Sequence, residues 1–154
     1  INLAIRDRDE IVYIERTSSG GSRVRVVYLV GDRAPLHLTS LGKLFLAAEN
    51  VAEVRAYAKR TGLPGKTPHS LTDLSALEKE LDKIRRHDVA YDNEEAELGL
   101  RCVAACIYDE HREPFAAISI SGPISRMTDD RVTELGALVI KAAKEVTLAY
   151  GGVK

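Results

Sequence analysis

Leu100-Arg101-Cys102-Val103-Ala104-Ala105-Cys106-Ile107-Tyr108 is followed, across a polar connection at Asp109-Glu110-His111-Arg112-Glu113-Pro114, by Phe115-Ala116-Ala117-Ile118-Ser119-Ile120-Ser121. Both runs are apolar, short and bounded by turn-forming residues, which predicts two neighbouring antiparallel strands. Side chains alternate between the faces of a strand. Leu100, Cys102, Ala104 and Cys106 therefore share one face of the first, and Ala117, Ser119 and Ser121 one face of the second. If Tyr108 pairs with Phe115, Cys102 falls opposite Ser121 and Ala104 opposite Ser119. The hairpin then has a face floored by small side chains that carry a thiol and two hydroxyls.

The same reading extends outward. Residues 2–6 and 11–15 flank a charged turn at Asp7-Arg8-Asp9-Glu10 and predict an opening hairpin. Residues 23–30 are rich in β-branched side chains and predict a third strand, ended by Gly31 and Asp32. Residues 41–48 and 51–60 predict two short amphipathic helices, the second stopped by Gly62 and Pro64. Thr72 or Asp73 caps a third, with Leu74, Leu77, Leu81 and Ile84 on one face. A short strand follows at 89–92. The last helix starts at Thr128, carries Asp129 and Asp130 in its first turn, and stops at Gly151. Three strands, three helices, three strands and a helix define an α+β domain with a mostly antiparallel, six-stranded sheet.

The bulk properties narrow the function. The chain has 154 residues, 45% hydrophobic and 29% charged, which suits one globular domain over residues 1–154. Twenty-two basic residues against twenty-three acidic ones leave a net charge of -1, which gives this piece no electrostatic reason to hold nucleic acid by itself. No apolar run approaches the ~18–20 residues that span a bilayer, and no signal-peptide pattern opens the chain. Cys102 and Cys106, in phase but well separated along a strand, read as reduced thiols in a cytoplasmic protein. The chain opens inside a strand, so a fragment of something longer is expected.

Two places can hold a ligand. The thiol-and-hydroxyl floor suits a small polar molecule, with Asp92 near its mouth if residues 89–92 join the sheet. The alternative is that the small residues simply fit beneath a helix, with the serines bonded to backbone carbonyls. In Pro35-Leu36-His37-Leu38-Thr39-Ser40-Leu41-Gly42-Lys43, Thr39 or Ser40 caps a helix whose first N–H groups can hold a carboxylate or phosphate, or the cap is an ordinary one. The glycines of a phosphate-binding P-loop are absent. Catalysis has less support, because a nucleophilic Cys102 needs a positioned base and no motif surrounds His37, His69, His87 or His111. A metal at Cys102 and Cys106 would need a histidine and a carboxylate as well. The acidic run 92–97 lacks the spacing of a calcium loop and reads for the most part as a solvated turn. No catalytic residue, metal or cofactor is assigned.

The succession Ala34 to Lys43, then Asp92-Asn93-Glu94-Glu95-Ala96-Glu97-Leu98-Gly99-Leu100-Arg101-Cys102-Val103, then Ile118-Ser119-Ile120-Ser121-Gly122-Pro123, closely resembles the effector-binding domain of IclR-type transcriptional regulators. The likeness covers essentially the whole chain, and residues 92–152 look especially like the family's namesake, a glyoxylate-bypass repressor. The resemblance implies a curved, GAF- or profilin-like sheet with packed helices, assembly into homodimers or homotetramers, and DNA binding only through a winged helix-turn-helix domain N-terminal to this chain. It implies a small organic acid as effector, such as glyoxylate, pyruvate, a sugar-derived acid or an aromatic acid, and no enzymatic or membrane role. By motif, it places ligand contacts at Asp92, Cys102, Ser119 and Ser121, backbone contacts at Ser40 and Leu41, and an apolar wall at Leu100. The namesake has two very small residues where this chain has Ser40-Leu41. A reshaped cavity is therefore expected, narrowed by Leu41 and widened elsewhere by Ala34. The competing readings are a ligand-independent dimerisation module and a cysteine-dependent enzyme.

Overall fold

The computed structural model describes residues 1–18 and 28–153. Strands β1 (Asn2–Asp7) and β2 (Glu10–Arg16) form the opening hairpin, and β3 (Arg33–Pro35) leads through a 3-10 turn (Leu36–Leu38) into three helices. These are α1 (Ser40–Ala48), α2 (Val51–Thr61) and α3 (Leu74–His87). Strands β4 (Ala90–Asn93), β5 (Leu100–Tyr108) and β6 (Pro114–Pro123) follow, and α4 (Asp129–Ala149) closes the fold. The strands build one curved six-stranded sheet in the order β3-β2-β1-β6-β5-β4, with every neighbouring pair antiparallel. The α+β, six-stranded expectation holds.

Alternation along β5 and β6 sorts the core into two layers. On one face Ala104, Cys106 and Ala117 meet Leu44 and Phe45 of α1 and Leu77, Leu81 and Ile84 of α3. On the other, Val103, Ala105, Ile107 and Ala116 meet Val132, Leu135, Val139 and Ala143 of α4. Leu77 and Leu81 are wholly buried, each worth about 1.5–3 kcal/mol relative to exposure. The helix ends follow local chemistry. Asp73, rather than Thr72, caps α3 by accepting from the Ala76 N–H at 2.9 Å, and the basic residues Arg85, Arg86 and His87 occupy its last turn, where the dipole favours them. Thr128 caps α4, with Asp129 and Asp130 just inside.

Two expectations need correction. Of the third strand expected at 23–30, residues 23–27 lie outside the described residues, and Tyr28, Leu29 and Val30 are not in a strand. Asp32 folds that end back, its carboxylate accepting from the Leu29 N–H at 2.7 Å while its own N–H donates to the Leu29 carbonyl at 3.1 Å. The third strand among the described residues is Arg33–Pro35, which was not expected; it is a short edge strand that ends at a residue with no N–H to donate. The second correction is at the hairpin end. A bulge between Ile107 and Tyr108 pairs Tyr108 with Pro114 instead of Phe115. The register from Leu100 to Ile107 is nevertheless the expected one, with Cys102 opposite Ser121 and Ala104 opposite Ser119.

Candidate functional site

The sheet register sets polar side chains in rows across one face. Ser121, Cys102 and Asp92 are successive partners on β6, β5 and β4. One row away, Asn2 of β1 is opposite Ser119, which is opposite Ala104. Small residues between these groups leave space, and the N-terminus of α1 covers it. The result is a cavity of about 70 Å³ lined by Asp92, Leu100, Cys102, Ser119, Ser121, Ser40 and Leu41, together with Asn2, Tyr13, Arg16, Tyr28 and Thr39. The structure thus gathers all seven residues picked from the sequence onto one hollow.

The α1 end is built by its cap. Thr39 Oγ1 accepts from the Gly42 N–H at 3.0 Å, and the Thr39 carbonyl accepts from the Lys43 N–H at 3.0 Å. Ser40 and Leu41 lie in the first turn, whose N–H groups no helical carbonyl can reach. Gly42 makes this corner possible. A Cβ there would sit 2.4 Å from both the Cα and the carbonyl oxygen of Leu36, so only glycine lets the 3-10 turn lie against the helix.

Among the described residues, the serine hydroxyls find side-chain partners rather than the backbone carbonyls that one reading of the sequence allowed. Asn2 Nδ2 donates to Ser119 Oγ at 3.2 Å and to Ser121 Oγ at 3.0 Å. Ser121 also bonds the Cys102 thiol, which burial and the neighbouring Asp92 carboxylate push well above the usual thiol range. A thiol held protonated is a poor nucleophile and a weak hydrogen-bond donor. His37 lies elsewhere: its ring nitrogens meet Tyr57 Oη at 2.8 Å and the Pro64 carbonyl at 3.0 Å, and burial lowers its pKa.

Asp92 is 2% exposed, and its Oδ1 accepts from the Glu95 N–H at 2.8 Å and the Ala96 N–H at 3.3 Å. Burial, with the Glu95 charge second, pushes its carboxyl up to about 7, against the pull of Lys43 and the two N–H groups. The acidic run is therefore not simply a solvated turn. Glu95 turns inward to Lys43, while Glu94 stays outside and accepts from the Gly99 N–H at 2.8 Å. Among the described residues, no group of three His, Cys, Asp or Glu side chains is placed to hold a metal ion.

Four lining side chains went unrecognised in the sequence. Tyr13 and Tyr28 stack with ring centroids 4.8 Å apart at 17°, and burial raises the Tyr28 phenol to about 12. Arg16, the one cation lining the cavity among the described residues, donates from Nη1 to the Tyr28 carbonyl at 3.1 Å. Asn2 belongs to no motif. Only the pairing of β1 with β6, which chain order does not announce, puts it beside the serines. Leu41 does line the cavity, as expected, whereas Ala34 is packed into the main core and is not part of the lining.

Comparison with known proteins agrees with the fold. Residues 1–148 match the family described as bacterial transcriptional regulator IclR, C-terminal. The chain is 49% identical over 156 residues to the transcriptional repressor IclR of Escherichia coli K12, an alignment that covers 100% of this chain and 57% of that protein. The crystal structure of Thermotoga maritima IclR matches with a TM-score of 0.90 at 34% identity, covering 97% of this chain and 60% of the other. The inducer-binding domain of a PobR double mutant from Acinetobacter, in complex with 3-hydroxybenzoic acid, matches with a TM-score of 0.85 at 26% identity over 95% of this chain and 86% of that one. The chain belongs to the IclR family of bacterial transcriptional regulators and corresponds to their C-terminal domain. It spans little more than half the length of the repressors it matches. No described helix is long and apolar enough to cross a membrane.

Proposed function

We propose that this domain senses a small carboxylate in the cytoplasm and, by binding it, alters the DNA affinity of a winged helix-turn-helix domain on the same polypeptide, within a homodimer or homotetramer. The observation that carries this reading is the polarity of the hollow. Two hydroxyls, a protonated thiol and the first turn of α1 line it, and Arg16 is the cation on its wall among the described residues. Such a set of donors fits the oxygens of an acid. Its size points the same way. The hollow of about 70 Å³ is walled by Leu41 and the stacked tyrosines, which suits a small acid such as glyoxylate or pyruvate better than a bulky one. An aromatic acid, as PobR binds, would require Leu41 and the tyrosines to give way. A ligand can bias the regulator only through its different affinities for two states, commonly a coupling of ~1–3 kcal/mol.

Isothermal titration with glyoxylate, pyruvate and 3-hydroxybenzoate tests the reading. Ser119→Ala and Ser121→Ala are expected to weaken binding with little loss of melting temperature, and unchanged affinity in both would refute the assignment of the hollow. A flat response to every acid would favour a ligand-independent dimerisation module.

A further inference from the structure

We infer that Thr67 and Ser70, on the loop between α2 and α3, are positioning residues for the hollow: they clamp the turn that follows Asp92, so that docking of this loop and binding of an acid strengthen one another. The inference rests on the hollow being the acid site. Asp92 and Leu100 both line the hollow, and the chain between them is the connection from β4 to β5. Its course is set at Glu94, whose φ of 60° lies in the left-handed region. A residue other than glycine stays there when its surroundings hold it. The turn brings the Glu95 and Ala96 N–H groups back to Asp92 Oδ1, at 2.8 and 3.3 Å.

The hold comes from another element. Thr67 Oγ1 donates to the Glu94 carbonyl at 2.6 Å, and Ser70 Oγ donates to the Glu95 carbonyl at 2.7 Å. Ser70 Oγ also accepts from the Lys66 N–H at 2.9 Å and the Thr67 N–H at 3.0 Å, so one hydroxyl both folds the loop and docks it. The coupling follows from the peptide bond. The Glu94 carbonyl and the Glu95 N–H belong to one planar group, and the Glu95 carbonyl and the Ala96 N–H to the next. Each plane is therefore gripped at its oxygen by a loop hydroxyl and at its hydrogen by Asp92. A rigid plane cannot turn at one end alone. Loss of the hydroxyls frees both planes, and Asp92 loses the two donors that aim its carboxyl. Linkage makes the effect reciprocal: what a fixed Asp92 gives to acid binding, acid binding returns to the docked loop. Thr67 and Ser70 lie outside the described lining, so neither acts by touching the acid.

Two measurements test this, each made with whichever of pyruvate and glyoxylate binds tighter. Hydrogen–deuterium exchange of the unaltered protein is expected to slow at residues 65–72 when the acid is saturating. Calorimetric titration is expected to show Thr67→Val binding about threefold to tenfold more weakly, the range of one neutral hydrogen bond. Thr67→Ser, which keeps the hydroxyl, should bind within about twofold of the unaltered protein. A loop with a purely structural role would change the melting temperature and neither of these readouts. Exchange at 65–72 that ignores the acid would overturn the inference. So would Thr67→Val binding within about twofold of the unaltered protein, or Thr67→Ser binding as weakly as Thr67→Val. Should Thr67→Val fail to fold, Ser70→Ala takes its place, and if neither folds the exchange result decides. Failure of the acid-site reading is separable. If the unaltered protein binds neither acid, or if Ser119→Ala and Ser121→Ala bind as before, the reading and the inference fall together. If those serine variants bind weakly while the loop stays indifferent to the acid, only the coupling falls.

Discussion

Lys43 Nζ lies 2.8 Å from both carboxylate oxygens of Glu95, with the lysine wholly buried. Removing one partner of such a pair leaves the other charge uncompensated in the interior, which typically costs about 3–5 kcal/mol. Lys43→Met is expected to lose stability of that order in urea denaturation, despite its similar volume. Lys43→Met combined with Glu95→Leu should recover much of the loss, since a packed apolar pair avoids the desolvation penalty of both ions. A single variant within about 1 kcal/mol of the parent would show that the pair contributes little.

Asp92 gives the domain a pH dependence with a definite sign. Its carboxyl is raised from 3.8 to about 7 in the folded state, chiefly by burial. The folded protein therefore binds more protons than the unfolded chain between these values, so its contribution to stability is fully present below about 4 and is lost as pH rises through about 7. Asp92→Asn, which keeps an acceptor for the Glu95 and Ala96 N–H groups, should flatten the stability profile between pH 5 and 8. It should also weaken the fall in pyruvate affinity expected across about pH 7, where an ionised Asp92 begins to repel an anion. Parallel profiles in the two proteins would exclude Asp92 as the titrating group.

At Gly42 a single added methyl would collide with the Leu36 backbone, since its Cβ would lie 2.4 Å from Cα and carbonyl oxygen alike. Neither atom can move without shifting the 3-10 turn. Gly42→Ala should cost about 1–3 kcal/mol, as overpacking does, and should weaken acid binding, because the first turn of α1 is displaced with it. Calorimetry of melting and binding on the same sample measures both effects. Unchanged binding alongside lost stability would mean that the helix tip plays no part in the site.

Neither Cys102 nor Cys106 forms a disulfide, and both are buried. The raised thiol of Cys102 leaves little thiolate at neutral pH. Alkylation by iodoacetamide, followed by mass spectrometry, should therefore proceed only as fast as the protein opens, and should speed up in mild denaturant. Rapid labelling of Cys102 in the native protein at pH 7.5 would instead point to an activated thiol.

Local pattern carried much of this architecture, and long-range pairing carried the rest. The β5–β6 register could be read from alternation alone, because Cys102, Ala104, Ser119 and Ser121 lie on two strands joined by a short connection. The helices were legible from their caps and stripes, as at Asp73 and Leu77. Asn2, Tyr13 and Arg16 were not, since they enter the hollow only because β1 pairs with β6 across more than a hundred residues. Lys43 and Glu95 were hidden for a similar reason: the lysine sits within an apolar helix and the glutamate in a polar turn, and only the packing of α1 under the β4–β5 connection makes them partners. The short strand at Arg33–Pro35 was missed because three residues ending in proline carry almost no periodic signal.

The two-layered packing of β6 also limits how this domain can diverge. Ile118 and Ile120 alternate with Ser119 and Ser121 and press into the cluster under α4, so the floor of the hollow is the back of another packed layer. Deepening the hollow from below would mean prising the sheet off that helix. Leu41, Tyr13 and Tyr28 sit on its remaining walls. In descent from a common ancestor, a change of effector size is therefore expected to be written in the roof of the chamber while its base stays as it is.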